Sequence, residues 1–225
     1  MVGSSRRRAA IAACVCGVVG TAALAGEQRY RNTASVCIRL TTTDHISGVA
    51  MKTLQDEASS IWRRHGIVLT WSQPVPESCT TVVPMIFDND QFLKQGGKGR
   101  DSALALTVFL GRSQTIYVSA SRAFQMLSHL YQSTLNLDTS GGRDLRGGTL
   151  LGRIVAHELG HVLVTTLAHS ETGLMRPMFG LRDALSGDDG TTALSTVNEN
   201  RLAMRFSLVP LDREPSVLAQ GSLPK

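Results

Sequence analysis

Acidic residues are missing from the start of this chain: no Asp or Glu precedes Glu27. Charge is sparse throughout, at 18 % of 225 residues, and aromatics make up 5 %, whereas apolar residues reach 42 %. That balance excludes a self-repelling disordered chain and allows a packed core in one domain or two small ones. There is no internal repeat and no long low-complexity tract, which excludes a solenoid or a fibre. A convincing membrane span is also lacking. The uncharged run over residues 9–25 holds 17 residues, many of them Ala and Gly, so it is short and weakly hydrophobic for a bilayer crossing.

What is present at the N-terminus is the three-part layout of a secretory signal. Arg6, Arg7 and Arg8 precede the apolar run, and Ala23-Leu24-Ala25 closes it with small residues at the positions a signal peptidase reads. Cleavage near Ala25 is expected, with an uncleaved anchor as the alternative. Removal of residues 1–25 takes three Arg and no acid, so the formal charge falls from +5 to +2. The basic balance that would suit nucleic acid disappears with it, and no stable membrane association is expected after cleavage.

Cysteine is equally scarce. Cys14 and Cys16 of the four lie in the signal, which leaves Cys37 and Cys79. Two Cys in an exported chain most simply form one disulfide, so a Cys37–Cys79 bond is expected in a secreted or periplasmic protein. Two separate buried thiols are the alternative.

The pattern of the remaining chain predicts an α+β order. Residues 36–40 read as a strand. Ile46, Ala50, Leu54, Ala58, Ile61 and Trp62 recur at steps of three and four and define one face of a helix. Asp44 or Ser47 can cap its start, and Gly66 suits a left-handed end. Strands are predicted over 67–71, 81–87, 103–110 and 115–119, with a loop at 95–100. A helix is predicted over 120–130. Residues 138–148 are rich in Gly and read as turns, and a long apolar helix is predicted from Thr149. Thr196 and Glu199 form a capping-box pair at a further helix. Residues 211–225 read as a loose tail.

The chemistry lies in Ala156-His157-Glu158-Leu159-Gly160-His161. On a helix, residues four apart are separated by about 40° and about 6 Å of rise. His157 and His161 therefore share a face and can reach one ion, with Glu158 about 60° to the side of His161. This is the logic of the H-E-x-x-H zinc site, in which two imidazoles bind and the acid is a general base. Zinc lowers the pKa of bound water to about 7, and Glu158 can take that proton and return it to a leaving amine. A shuffled chain of this composition would show the motif about 0.005 times, so chance occurrence is a weak explanation. The helix is also apolar nearly all round, and two His and a Glu inside it would be costly without partners.

Past this helix the sequence reads His169-Ser170-Glu171-Thr172-Gly173-Leu174-Met175-Arg176-Pro177. Over residues 149–177 the chain resembles the metzincin metallopeptidases, most nearly the matrixin-like branch, in which H-E-x-x-H is followed by a bend, a third His often followed by Ser, and a Met-containing turn. The resemblance implies that His157, His161 and His169 are zinc ligands, Glu158 the general base and Met175 an apolar floor. It also implies a peptide or protein substrate laid along a strand edge beside the metal, for which 103–110 and 115–119 are both candidates.

The spacing departs from the family pattern. Val164 and Leu167 stand where the family has Gly and the third His, and His169 arrives two residues later. If the helix ran on, His169 would lie about 12 Å further along the axis than His161. The helix must therefore end near Thr165-Thr166 and the chain must reverse. Glu171 and Glu199 are the alternative third ligands.

Together these readings predict an α+β, zincin-like fold: a small mixed sheet packed on an N-terminal helix and a buried active-site helix, then a C-terminal helix. The domain is expected over residues 26–210, after a signal at 1–25 and before a tail at 211–225. The function expected is exported zinc-dependent peptide hydrolysis. The alternative is a zinc-stabilised binding module of the same fold that does not cleave. His45, His65 and His129, each alone near a helix end, are expected to be solvated or capping.

Overall fold

The computed structural model describes residues 29–43, 45–88, 103–111, 113–132, 140–177 and 189–211. The signal, the 95–100 loop and the tail beyond Leu211 lie outside them, as does the candidate cap Asp44.

The elements run β1 (Ala34–Thr42), α1 (Gly48–Arg64), β2 (Ile67–Trp71), β3 (Val82–Phe87), β4 (Ala105–Leu110), β5 (Ser113–Val118), α2 (Ala120–Gln132), α3 (Ser140–Val164) and α4 (Thr196–Phe206). A short 3-10 turn, Asp189–Thr192, precedes α4. The five strands form one mixed sheet in the order β2-β1-β3-β5-β4. β1 pairs in parallel with β2 and β3, and β3 with β5, while β4 runs antiparallel to β5. The fold is thus mixed α+β, with an N-terminal helix, a long buried helix and a C-terminal helix. Of the two candidate edge strands, β4 is the outer one; β5 lies between β3 and β4, so 115–119 is corrected to an inner strand.

Five of the six apolar positions expected on the α1 face lie in the helix, while Ile46 precedes its cap and is half-buried. Ala50, Leu54, Ala58, Ile61 and Trp62 are buried, and Ser47 caps the start by accepting a hydrogen bond from the Ala50 N–H. Such a stripe stabilises by removing apolar surface from water, about 1.5–3 kcal/mol for each large side chain. It faces α3: Trp62 Nε1–H donates to the Ala156 carbonyl at 3.1 Å, one residue before His157. Arg153 of α3, buried, meets Glu57 of α1 at 2.7 Å. Cys37 of β1 is bonded to Cys79, just ahead of β3.

α3 begins nine residues earlier than Thr149. The Gly residues that suggested turns instead allow close helix packing. A Cβ at Gly148 would lie 2.6 Å from the Ala50 carbonyl oxygen of α1, and one at Gly147 would meet the Phe124 ring of α2 at 2.1 Å. Glycine is weak in helices by propensity, but here tertiary contact decides. α4 is corrected in a similar way. Its cap is Ser195, whose hydroxyl accepts from the Asn198 N–H, so Thr196 is the first helical residue and no Thr196–Glu199 capping box forms. Among the described residues no helix is long and apolar enough to cross a membrane.

Candidate metal centre

Every residue from 150 to 164 is buried, so the H-E-x-x-H residues sit in the core of the molecule. His157 is 8 % exposed and His161 5 %. Each imidazole is oriented through its far nitrogen. His157 Nδ1–H donates to the Leu174 carbonyl at 2.7 Å, and His161 Nδ1–H donates to the Thr166 carbonyl at 2.8 Å. A carbonyl can only accept, so both ring protons are fixed on Nδ1. The two Nε2 atoms are left as bare acceptors, and they face one another at 3.2 Å.

Two lone pairs at that distance repel unless something positive lies between them. Zinc–nitrogen bonds of about 2.0–2.1 Å in a tetrahedron place two ligand nitrogens about 3.3 Å apart. His169 completes the group from the exposed side. Its ring lies near-parallel to that of His157, with centroids 5.4 Å apart, and edge-on to that of His161 at 4.9 Å. The ligand atoms of the three lie within 4.8 Å of one another, close enough to hold one metal ion. Burial pulls the pKa of His157 down to about 4, opposed by its bond to Leu174, and burial lowers His161 and His169 as well. All three are neutral at pH 7, the form that binds a metal.

The reversal that brings His169 back lies one residue past α3. The Thr165 N–H donates to the Val162 carbonyl at 3.3 Å and the Thr166 N–H to the His161 carbonyl at 3.1 Å. These are the paired bonds of a Schellman ending, whose turning residue is usually Gly. Here it is Thr165, at φ +54°. The same Thr166 whose N–H closes the helix offers its carbonyl to His161, so the turn that ends the helix also orients one of the three imidazoles.

Met175 is fully buried and lies against α3 at Gly160, between His157 and His161. A Cβ at Gly160 would sit 2.1 Å from its sulfur. The segment around Met175 is held by Leu174 N–H to the Ala193 carbonyl at 2.8 Å, and by Ser170 N–H to the Met175 carbonyl at 2.8 Å.

Glu158 is 8 % exposed. Its Oε2 accepts from the Thr107 hydroxyl of β4 at 2.6 Å. Burial pushes its pKa up to about 7, and the Thr107 hydrogen bonds act the other way. The outer strand of the sheet thus touches the acid directly.

The acidic alternatives for the third ligand are not part of the group. Glu199 accepts from Arg29 Nη1 at 2.9 Å and lies 3.7 Å from His65 Nδ1. Glu171 is exposed and lies outside the cluster. Of the two places expected for His65, it takes the C-cap of α1 and is not solvated: it is 2 % exposed, with Nε2–H directed at the Thr192 carbonyl at 3.3 Å. Burial draws its pKa down to about 4. His45 and His129 are exposed, as expected.

Two residues that touch the site carry no local signal of it: Gly160 lies inside the motif, but nothing in the local pattern ties it to Met175, and Thr107 reaches Glu158 across 51 residues.

The chain matches no family model, no curated protein and no solved structure.

Proposed function

We propose that this chain is an exported zinc-dependent metallopeptidase of the metzincin-like kind. The observation that carries the reading is the pair of bare Nε2 atoms 3.2 Å apart, with both protons fixed on Nδ1 and a third imidazole alongside. Three neutral imidazoles are a donor set suited to zinc. His157, His161 and His169 would hold the ion, and a fourth position would stay open, as catalytic sites require. Bound zinc supplies a Lewis acid that makes water acidic enough to ionise near neutral pH.

The remaining roles belong to the protein. Glu158, with its pKa raised by burial toward neutrality, is suited to accept a proton from water and return it to the leaving amine. Thr107 fixes the direction of that carboxylate. A peptide would add to the outer strand β4 by main-chain hydrogen bonds, and the Thr107–Glu158 bond puts that strand beside the acid. Export is supported by the Arg6–Arg8 and apolar N-terminus and by the Cys37–Cys79 disulfide, which fits an oxidising compartment.

The test is hydrolysis of a broad peptide library by the full chain, with and without a chelator, beside Glu158→Ala. Cleavage abolished by both treatments is expected. Cleavage indifferent to both rejects the reading. Stoichiometric zinc without any cleavage supports the non-catalytic binding module instead.

A further inference from the structure

Helix α4 touches the loop that carries His169 at both of its ends. At the first end, Arg205 Nη1 donates to the carbonyls of Val162 and Leu163, the latter at 3.1 Å, and to the Thr165 hydroxyl. At the other end, Asn198 Nδ2–H donates to the Ser170 hydroxyl oxygen at 3.1 Å. Asn198 is 5 % exposed and Ser170 directly follows the third imidazole. Asn198 and Arg205 are seven residues apart, two helical turns, and so share a face of α4. Leu202, between them, is fully buried.

The first of these contacts answers a conflict in the sequence. A β-branched residue at positive φ is an outlier in backbone conformation, and Thr165 stands at φ +54° where glycine is usual. No glycine lies between His161 and Gly173. Arg205 compensates locally. It bonds the Leu163 carbonyl and shares the Val162 carbonyl with the Thr165 N–H, it sets a cation at the negative pole of that helix, and it holds the Thr165 hydroxyl. Without it the favoured course for a β-branched residue is away from the left-handed turn. His169 would then leave the cluster, and Thr166 would leave His161.

We infer that α4 positions the third metal ligand: Arg205 holds the left-handed turn at Thr165, Asn198 holds Ser170, and between them they fix where His169 stands. The inference rests on the metal reading given above. Neither residue touches the ligand nitrogens, so both are positioning residues.

The test titrates zinc into the metal-stripped full chain against a competing chelator and records melting of the metal-free chain beside it. Arg205→Ala is expected to weaken zinc binding about 10- to 100-fold, the usual effect of losing an outer support of a ligand. Arg205→Ala combined with Thr165→Gly is expected to recover most of that loss, because glycine adopts the left-handed turn unaided. Asn198→Ala is expected to weaken binding as well. Zinc affinity left unchanged by Arg205→Ala or by Asn198→Ala overturns the inference, even if metal-free melting falls, since that is the mark of a merely stabilising contact. Absence of recovery in the double variant also overturns it. If Arg205→Ala does not fold, Arg205→Lys is compared in the same two backgrounds, since lysine keeps the charge but loses the planar fork. A wild-type chain that takes up no zinc overturns the metal reading, and this inference with it.

Discussion

Among the described residues three helices end on a left-handed residue, Gly66 after α1, Thr165 after α3 and Ser207 after α4, and the first two do so by different means. α1 is followed by Gly66 at φ +77°, and its carbonyl then accepts from the Ala34 N–H at 2.9 Å, joining the turn to β1. Glycine adopts this conformation without steric cost, so the turn needs no outside support. α3 is followed by Thr165 at φ +54°, which costs about 1–2 kcal/mol for an L-residue and is held by an arginine 40 residues further on. The first turn passes the chain from helix to sheet. The second decides whether three imidazoles meet. Of these two turns, the strain of a β-branched residue and its long-range support fall on the second, where the candidate chemistry lies. Changes around α3 should therefore alter metal binding and turnover, and changes around the end of α1 should alter stability.

The largest effect expected is on turnover. Glu158→Ala should reduce peptide hydrolysis about 10²–10⁴-fold, the usual contribution of a positioned general base, with zinc retained at one per chain. Loss of zinc together with activity would place the acid among the ligands and blur the contrast between the two regions.

At the end of α1, His65 makes stability depend on pH. Burial holds its pKa at about 4 in the folded chain against about 6.5 unfolded. The folded state therefore binds fewer protons between those values, and stability present above pH 6.5 is lost as pH falls toward 4. The groups that face it are Glu199, Arg29 and Arg64. The share due to His65 is on the order of 3 kcal/mol. Chemical denaturation of the metal-free chain at pH 4.5 and 7 should show a smaller difference in His65→Gln than in wild type. An equal difference would remove the assignment.

Gly66→Ala sharpens the same contrast. A Cβ there would stand 3.0 Å from the Tyr30 ring and 3.2 Å from Leu208, on a left-handed backbone. A loss of about 2 kcal/mol is expected, measured by denaturant unfolding, with zinc affinity unchanged. The smallest effect belongs to Thr165→Gly in the otherwise unaltered chain. Relief of the left-handed strain is offset by the entropy of glycine and the lost Arg205 bond, so a change of less than about 1 kcal/mol is expected. Losses of similar size at the two positions would show that the two turns are not built differently.

What could be read from the sequence follows the range of the interaction. The α1 face, the cap at Ser47 and the end at Gly66 were legible because period and capping are set within a few residues. The sharing of one face by His157 and His161 was legible because helix geometry fixes it. The need for a reversal near Thr165-Thr166 followed from the position of His169 alone. The first half of α3 was not legible: Gly147 and Gly148 resemble turn residues until α1 and α2 are laid against them. Nor could the supports of the site be seen. Thr107 reaches Glu158 across 51 residues and Arg205 reaches Leu163 across 42, and such pairs are chosen by the fold. The cap of α4 was missed by one residue because Ser195 and Thr196 are both good capping residues and the chain geometry selects between them.

The most direct measurement is zinc stoichiometry in the wild-type chain and in His169→Ala after dialysis against a weak chelator. One tightly held zinc per wild-type chain and much less than one in the variant is the result expected if the third imidazole returns to the other two. Equal, stoichiometric zinc in both proteins, or none in the wild type, would contradict it.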